Sequence, residues 1–198
     1  MKEAKIKFTT LAFEYVKKPE RQNLAKRLNC DFVLSIHFNS ASNPQADYSL
    51  AIYNKPQAKQ AAKELAELCA TLFTYPKNHK VVNVREWNRA SFISKYEMPC
   101  VLLEICFITN SQSALFLHGN QRAVAKMVAA KLLELAIKNH WSVVGIDPGH
   151  LHRGYPDPGA RCVMGDTEAQ HVESFVEMLY DGLEELSRQG DVKIVLEF

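Results

Sequence analysis

Two apolar runs in this chain each lead to a histidine, and a third ends in a glutamate. Phe32-Val33-Leu34-Ser35-Ile36 delivers His37; Val143-Val144-Gly145-Ile146 leads through Asp147-Pro148-Gly149 to His150; and Val101-Leu102-Leu103 stops at Glu104. Runs this short and apolar read as buried strands, which presents the three side chains at strand ends. In an open α/β sheet the carboxyl ends of the strands share the edge where ligands bind. Two imidazoles and a carboxylate gathered there point to a metal-dependent hydrolase. Taken singly, each histidine has a plainer reading as a hydrogen-bonded structural residue. Glu104 stands apart, because a carboxylate closing an apolar strand is costly to bury without a cation or a catalytic task.

Two further groups have chemistry to offer. Glu168 opens a helix in Gly165-Asp166-Thr167-Glu168, where alone it reads as a capping or helix-dipole carboxylate. Cys106 follows Glu104 by two residues, so strand alternation puts both on one face and makes Cys106 a rival nucleophile with His37. Nothing nearby marks that thiol as activated. The five cysteines, 30, 69, 100, 106 and 162, contain no CxxC pair and are odd in number, which fits buried reduced thiols and no zinc knuckle.

The elements that must position these groups alternate between the two periodicities. Helices are predicted over Pro19–Leu28, Gln57–Phe73, Gln121–Lys138 and Thr167–Arg188, the last closed by Gly190. Strands are predicted over Phe32–Ile36, Tyr48–Tyr53, Val81–Val84, Val101–Leu103, Val143–Ile146 and Val192–Phe198, with Lys5–Thr9 as another. A Ser-, Asn- and Pro-rich loop spans Asn39–Asp47. This pattern predicts an α/β fold with a single mixed, largely parallel sheet flanked by helices on both faces.

Composition narrows the classes. The 198 residues suit one domain spanning 1–198, with no Pro/Gly/Ser-rich linker, repeat or low-complexity segment. A net charge of +2 gives no reason to expect nucleic acid, and no apolar run is long enough for a membrane span. The amino terminus, MKEAKIKFTT, lacks the apolar core and cleavage site of a signal peptide. The Lys-rich run from Lys2 to Lys18 reads as a solvated face.

Four blocks resemble the zinc-dependent N-acetylmuramoyl-L-alanine amidases of the amidase 3 family. VVGIDPGH at 143–150 resembles the family's first strand and first zinc histidine, and DPGARCVMGDTE at 157–168 its loop and zinc glutamate. RQNLAKRLNCDFVLSIHFNS at 21–40 resembles the helix, strand and second zinc histidine. MPCVLLEICFITN at 98–110 resembles the block holding the catalytic glutamate. The resemblance covers most of the chain, in an unfamiliar order: the family's arrangement is 142–198 followed by 1–140 here. That implies a circular permutation, joined through Asn139, His140 and Trp141, with the new ends near the family's second strand. Val192–Glu197 and Lys5–Thr9 both qualify as that strand.

What the resemblance implies is specific. His37, His150 and Glu168 would hold Zn²⁺ with a fourth position for water, and Glu104 would act as general base. The substrate would be peptidoglycan, cut between N-acetylmuramic acid and L-alanine of the stem peptide. A chain made in the cytoplasm without a signal peptide and acting on the cell wall would fit a phage lysin. Departures are few: Leu151-His152 replaces the usual glycines after His150, and Cys106 replaces a usual Gly. His152 and His171 are rival ligands, and Asn39 and Arg85 are candidates to line the groove. Two other readings stay open, another zinc peptidase or deacetylase and a catalytically silent wall-binding module. The residues do not indicate oligomeric state or stem-peptide preference.

Overall fold

The computed structural model describes residues 5–11, 17–73, 78–150, 157–189 and 192–197. Seven strands form one sheet in the order β4-β3-β5-β2-β6-β1-β7. They are β1 (Lys5–Thr10), β2 (Phe32–Asn39), β3 (Ser49–Tyr53), β4 (His79–Asn83), β5 (Cys100–Phe107), β6 (Val143–Pro148) and β7 (Lys193–Glu197). Every neighbouring pair is parallel except β3 with β5, so β3 and β4 run against the other five. The sheet is mixed and largely parallel, as the alternation of apolar strands and helices predicts. All but the last residue of β2 are buried, which is what a central strand covered on both faces requires.

Helices α1 (Lys18–Arg27), α2 (Lys59–Leu72), α3 (Ser111–Lys138) and α4 (Glu168–Gln189) supply the covers. The larger core packs Phe8, Phe32, Leu34, Ile36 and Leu103 against α2, α3 and α4. On the other face Val33, Cys100 and Leu102 meet α1 and a short 3₁₀ segment, Asn88–Lys95. No element is predicted there from the sequence, because Ala90, Ile93 and Tyr96, buried at spacings of three, form too short a pattern to be told from a loop. Helix α3 starts ten residues earlier than its apolar spacing predicts, because Asn110 caps it: its side-chain oxygen accepts from the amides of Gln112 and Ser113. The capping position of Gly190 and the end of the last strand at Phe198 lie outside the described residues.

Two strands extend past their predicted ends. β2 continues two residues beyond His37, and β5 continues through Ile105, Cys106 and Phe107. A register shift between His37 and Asn39 breaks the alternation. Cys106 therefore packs into the larger core with Cys69, and does not share the side of Glu104. Burial pushes its thiol well above its ordinary pKa, which removes it as a nucleophile. All five cysteines are free and buried.

The turn between α3 and β6 is well tied. The amide of Trp141 donates to the carbonyl of Ala136, and the Asp31 carboxylate accepts from the amides of Ser142 and Val143 at 2.7 and 2.9 Å. The Trp141 ring stacks on Phe32, 4.1 Å between centroids and 8° from parallel. At the far edge, β1 lies between β6 and β7 and pairs with both in parallel. Its register with β7 sets Lys5 beside Lys193, Ile6 beside Ile194 and Phe8 beside Leu196, so two strands of similar sequence lie side by side.

Candidate metal centre

The site lies at the carboxyl ends of the parallel strands, in the crevice where open α/β sheets bind ligands. His37 comes from β2, His150 from the turn after β6, and Glu168 from the first turn of α4. One donor atom from each lies within 4.8 Å of the other two. Oε1 of Glu168 is 3.1 Å from Nδ1 of His37 and 3.4 Å from Nε2 of His150. The two imidazoles meet edge to face with centroids 5.1 Å apart.

Local structure fixes each of the three converging side chains. His150 adopts a left-handed backbone, φ +50°, uncommon for a side-chain-bearing residue and held here by its surroundings. Its Nδ1 is 2.9 Å from the Asp157 carboxylate, which leaves Nε2 turned toward Glu168. A carboxylate behind an imidazole is the usual way a metal-binding histidine is oriented. Glu168 accepts from the amides of Phe38 and Ala160, at 3.2 and 3.1 Å. Burial works against its ionisation, but the hydrogen bond and charge of His37, with the charge of His150, outweigh it and hold the carboxyl below its usual range.

Glycine makes room for this packing. A Cβ at Gly149 would lie 2.3 Å from Cε1 of His37, and one at Gly159 would lie 2.6 Å from Oε2 of Glu168. Gly159 also has φ +64°, so it is required twice over.

Glu104 stands in register with His37 across the β2–β5 pair. Its carboxyl is pushed up to about 8, by burial first and by the nearby charge of Glu168, with His150 opposing. Its Oε2 and the Nε2 of His37 are both buried without a hydrogen-bond partner. Orphaned polar atoms beside three converging donors fit a bound cation. Two imidazoles with one carboxylate are the donor set of an open zinc site.

The strand bearing His150 is anchored from below. Asp147, 1% exposed, accepts from Arg21 at 2.6 Å, Tyr96 at 3.0 Å and Ser35 at 3.1 Å. Arg21 also donates to the carbonyl of Pro148. No periodicity announces this network, since its members lie up to 126 residues apart.

A cavity of about 340 Å³ opens over these groups, lined among others by Lys18, Asn39, Arg89, Phe92 and Glu104. Asn39 is therefore at the groove, while Arg85 is absent from its described lining. His171 is buried with its ring against Phe38, 5.7 Å between centroids, and stands outside the three-residue cluster. His152 lies outside the described residues.

The model of the amidase 3 family, N-acetylmuramoyl-L-alanine amidase, matches residues 1–134. The chain belongs to this family. As a member of the amidase 3 family it is a peptidoglycan amidase acting on the cell wall, and among its described residues no helix is long and apolar enough to cross a membrane. The catalytic domain of CwlV, an amidase from Bacillus (Paenibacillus) polymyxa var. colistinus, is 21% identical with a TM-score of 0.51, covering 62% of this chain and 67% of that one. That likeness supports the fold. Cwp6 from Clostridium difficile is 16% identical at TM-score 0.44, covering 87% of this chain but only 20% of its own. The catalytic domain of the CD27L endolysin targeting Clostridia difficile is 16% identical at 0.45, covering 66% of this chain and 97% of that one. No curated protein matches the sequence significantly.

Proposed function

We propose that this amidase is zinc-dependent and cuts the bond between the lactyl carbonyl of N-acetylmuramic acid and L-alanine of the stem peptide. The observation that carries the reading is the meeting of His37, His150 and Glu168 within 4.8 Å, beside Glu104, whose Oε2 is buried without a hydrogen-bond partner. His37, His150 and Glu168 would hold the ion. When bound, Zn²⁺ supplies Lewis acidity that lowers the pKa of water to about 7 and polarises an amide carbonyl.

The chain's own groups do the rest. Asp157 keeps the tautomer and direction of His150, and the Phe38 and Ala160 amides keep Glu168 in place. Glu104 takes a proton from the attacking water and returns it to the leaving nitrogen. The carbonyl carbon gains the water's oxygen as the C–N bond breaks, releasing the free amino end of L-alanine. Proton transfer by a positioned group of this kind contributes about 10²–10⁴ in rate.

The same reading includes a circular permutation. The family match ends at residue 134, before His150 and Glu168, yet both converge on His37, which lies inside it. The tied turn at 139–142 is the join of the parent ends. β1 takes the second-strand position beside β6, and β7 is a spare copy at the edge.

Digestion of purified peptidoglycan tests the function. Zinc-loaded protein should release free L-alanine amino ends and no reducing sugars, and a chelator should stop the reaction. Reducing ends, or cleavage within the peptide, would transfer the site to another hydrolase class. Zinc-loaded protein without any lytic activity would make it a silent binding module.

A further inference from the structure

The geometry points to a carboxylate-binding subsite beside the metal centre, formed by Lys18 and Arg89, which reads the residue after L-alanine in the stem peptide and favours a free carboxylate there over a carboxamide. It rests on the amidase reading above and adds a substrate preference to it.

Charge accounting in the groove leads to this subsite. Three carboxylates line it, Glu104, Asp157 and Glu168, and the last two are engaged with His150 and His37 on its floor. Of the three cations, Arg21 is tied to Asp147 beneath the site. Lys18 and Arg89 line the same groove, are exposed, and have no carboxylate at ion-pair distance among the described residues. Lys18 lies close enough to Asp157 to favour its ionised form without pairing with it, and together with Arg89 it adds positive charge to one concave surface, which raises the local concentration of an anionic ligand.

Distance selects the ligand group. The Phe92 ring lies 6.1 Å from that of His37, and the Lys18 ammonium sits over Phe92 at 5.1 Å. The ammonium is therefore within about 11 Å of the His37 ring, held over an aromatic face. From the scissile nitrogen, two residues of extended chain reach about 7 Å, a length that fits inside this bound. A carboxylate in this groove is attracted by the Lys18 and Arg89 cations that line it, whereas a neutral carboxamide is not.

Two soluble muramyl peptides, identical except for a free carboxylate or a carboxamide on the second stem residue, provide the test. Binding is measured on zinc-loaded Glu104→Gln, and cleavage on the unaltered chain. Two exposed ion pairs of about 0.5 kcal/mol each correspond to about fivefold tighter binding of the carboxylate form. Adding Lys18→Gln and Arg89→Gln to the Glu104→Gln chain should bring the ratio to one at unchanged zinc content, with Arg89→Lys restoring part of it. Equal binding of both peptides to the parent, or a preference that survives in the double variant, overturns the subsite. Failure to cleave either peptide, with the binding preference intact, instead counts against the amidase reading alone.

Discussion

His37 and Glu104 face each other in register on the neighbouring parallel strands β2 and β5. One is a member of the three-residue donor cluster and the other is a half-buried glutamate outside it. In the proposed enzyme, two roles, holding the ion and moving the proton, fall to adjacent strands at one level of the sheet. Glu104→Gln should keep one zinc per chain and lower hydrolysis by about 10²–10⁴. A variant that retains full activity would remove Glu104 as the base; steady-state rates beside metal analysis decide it.

Gly149 makes a prediction about packing. A methyl group there would stand 2.3–2.6 Å from three atoms of the His37 ring, closer than real contacts allow. Gly149→Ala should displace the imidazole and weaken zinc binding by about 10–100-fold, the range seen when groups that orient a ligand are altered. Far-UV circular dichroism should be unchanged, because the surrounding sheet keeps its partners. Unaltered zinc affinity by competitive chelation would show that the ring has room to move.

The Arg21–Asp147 pair tests how the turn before His150 is supported. Both residues are buried, with side-chain exposures of 8% and 1%, at 2.6 Å. Among the described residues, Arg21→Met leaves the carboxylate of Asp147 with the hydroxyls of Tyr96 and Ser35 as its hydrogen-bond donors. Breaking a buried pair on one side costs about 3–5 kcal/mol. Urea unfolding should report a loss of that order, and a loss below about 1 kcal/mol would mean that the hydroxyls suffice.

Much of this site is legible in the chain because it obeys short-range rules. His37 and Glu104 follow apolar runs, and Asp-Pro-Gly dictates how the backbone leaves β6 at His150. Glu168 is harder, since a carboxylate in a helix's first turn has an ordinary explanation until His37 and His150 stand beside it. The Asp157 support, the 3₁₀ segment carrying Arg89 and Phe92, and the Asp147 network are not legible. The supporting partners are distant in sequence, and the 3₁₀ segment is too short for its spacing to be read. The start of α3 at Ser111 was readable from the Asn110 cap, but Gly119 and His118 interrupt its apolar stripe.

The side-by-side strands β1 and β7 make the permutation testable by re-ordering the chain. If β7 is a spare copy, residues 141–191 joined directly to 4–140 form a complete chain in family order, with Trp141 kept at its start. That protein should fold, bind zinc with the same stoichiometry and hydrolyse peptidoglycan within about threefold of the original; a threefold change is about 0.6 kcal/mol of barrier. Failure to fold would show that β7 is part of the fold's required edge.

In the proposed enzyme, residues on both sides of residue 134 build one zinc site, and native mass spectrometry of the intact protein counts the ions it holds. One zinc per chain is expected for the unaltered protein, and none for His37→Ala or His150→Ala under the same conditions. Zinc retained at full occupancy in either variant, or absent from the unaltered chain after reconstitution, would refute the shared site.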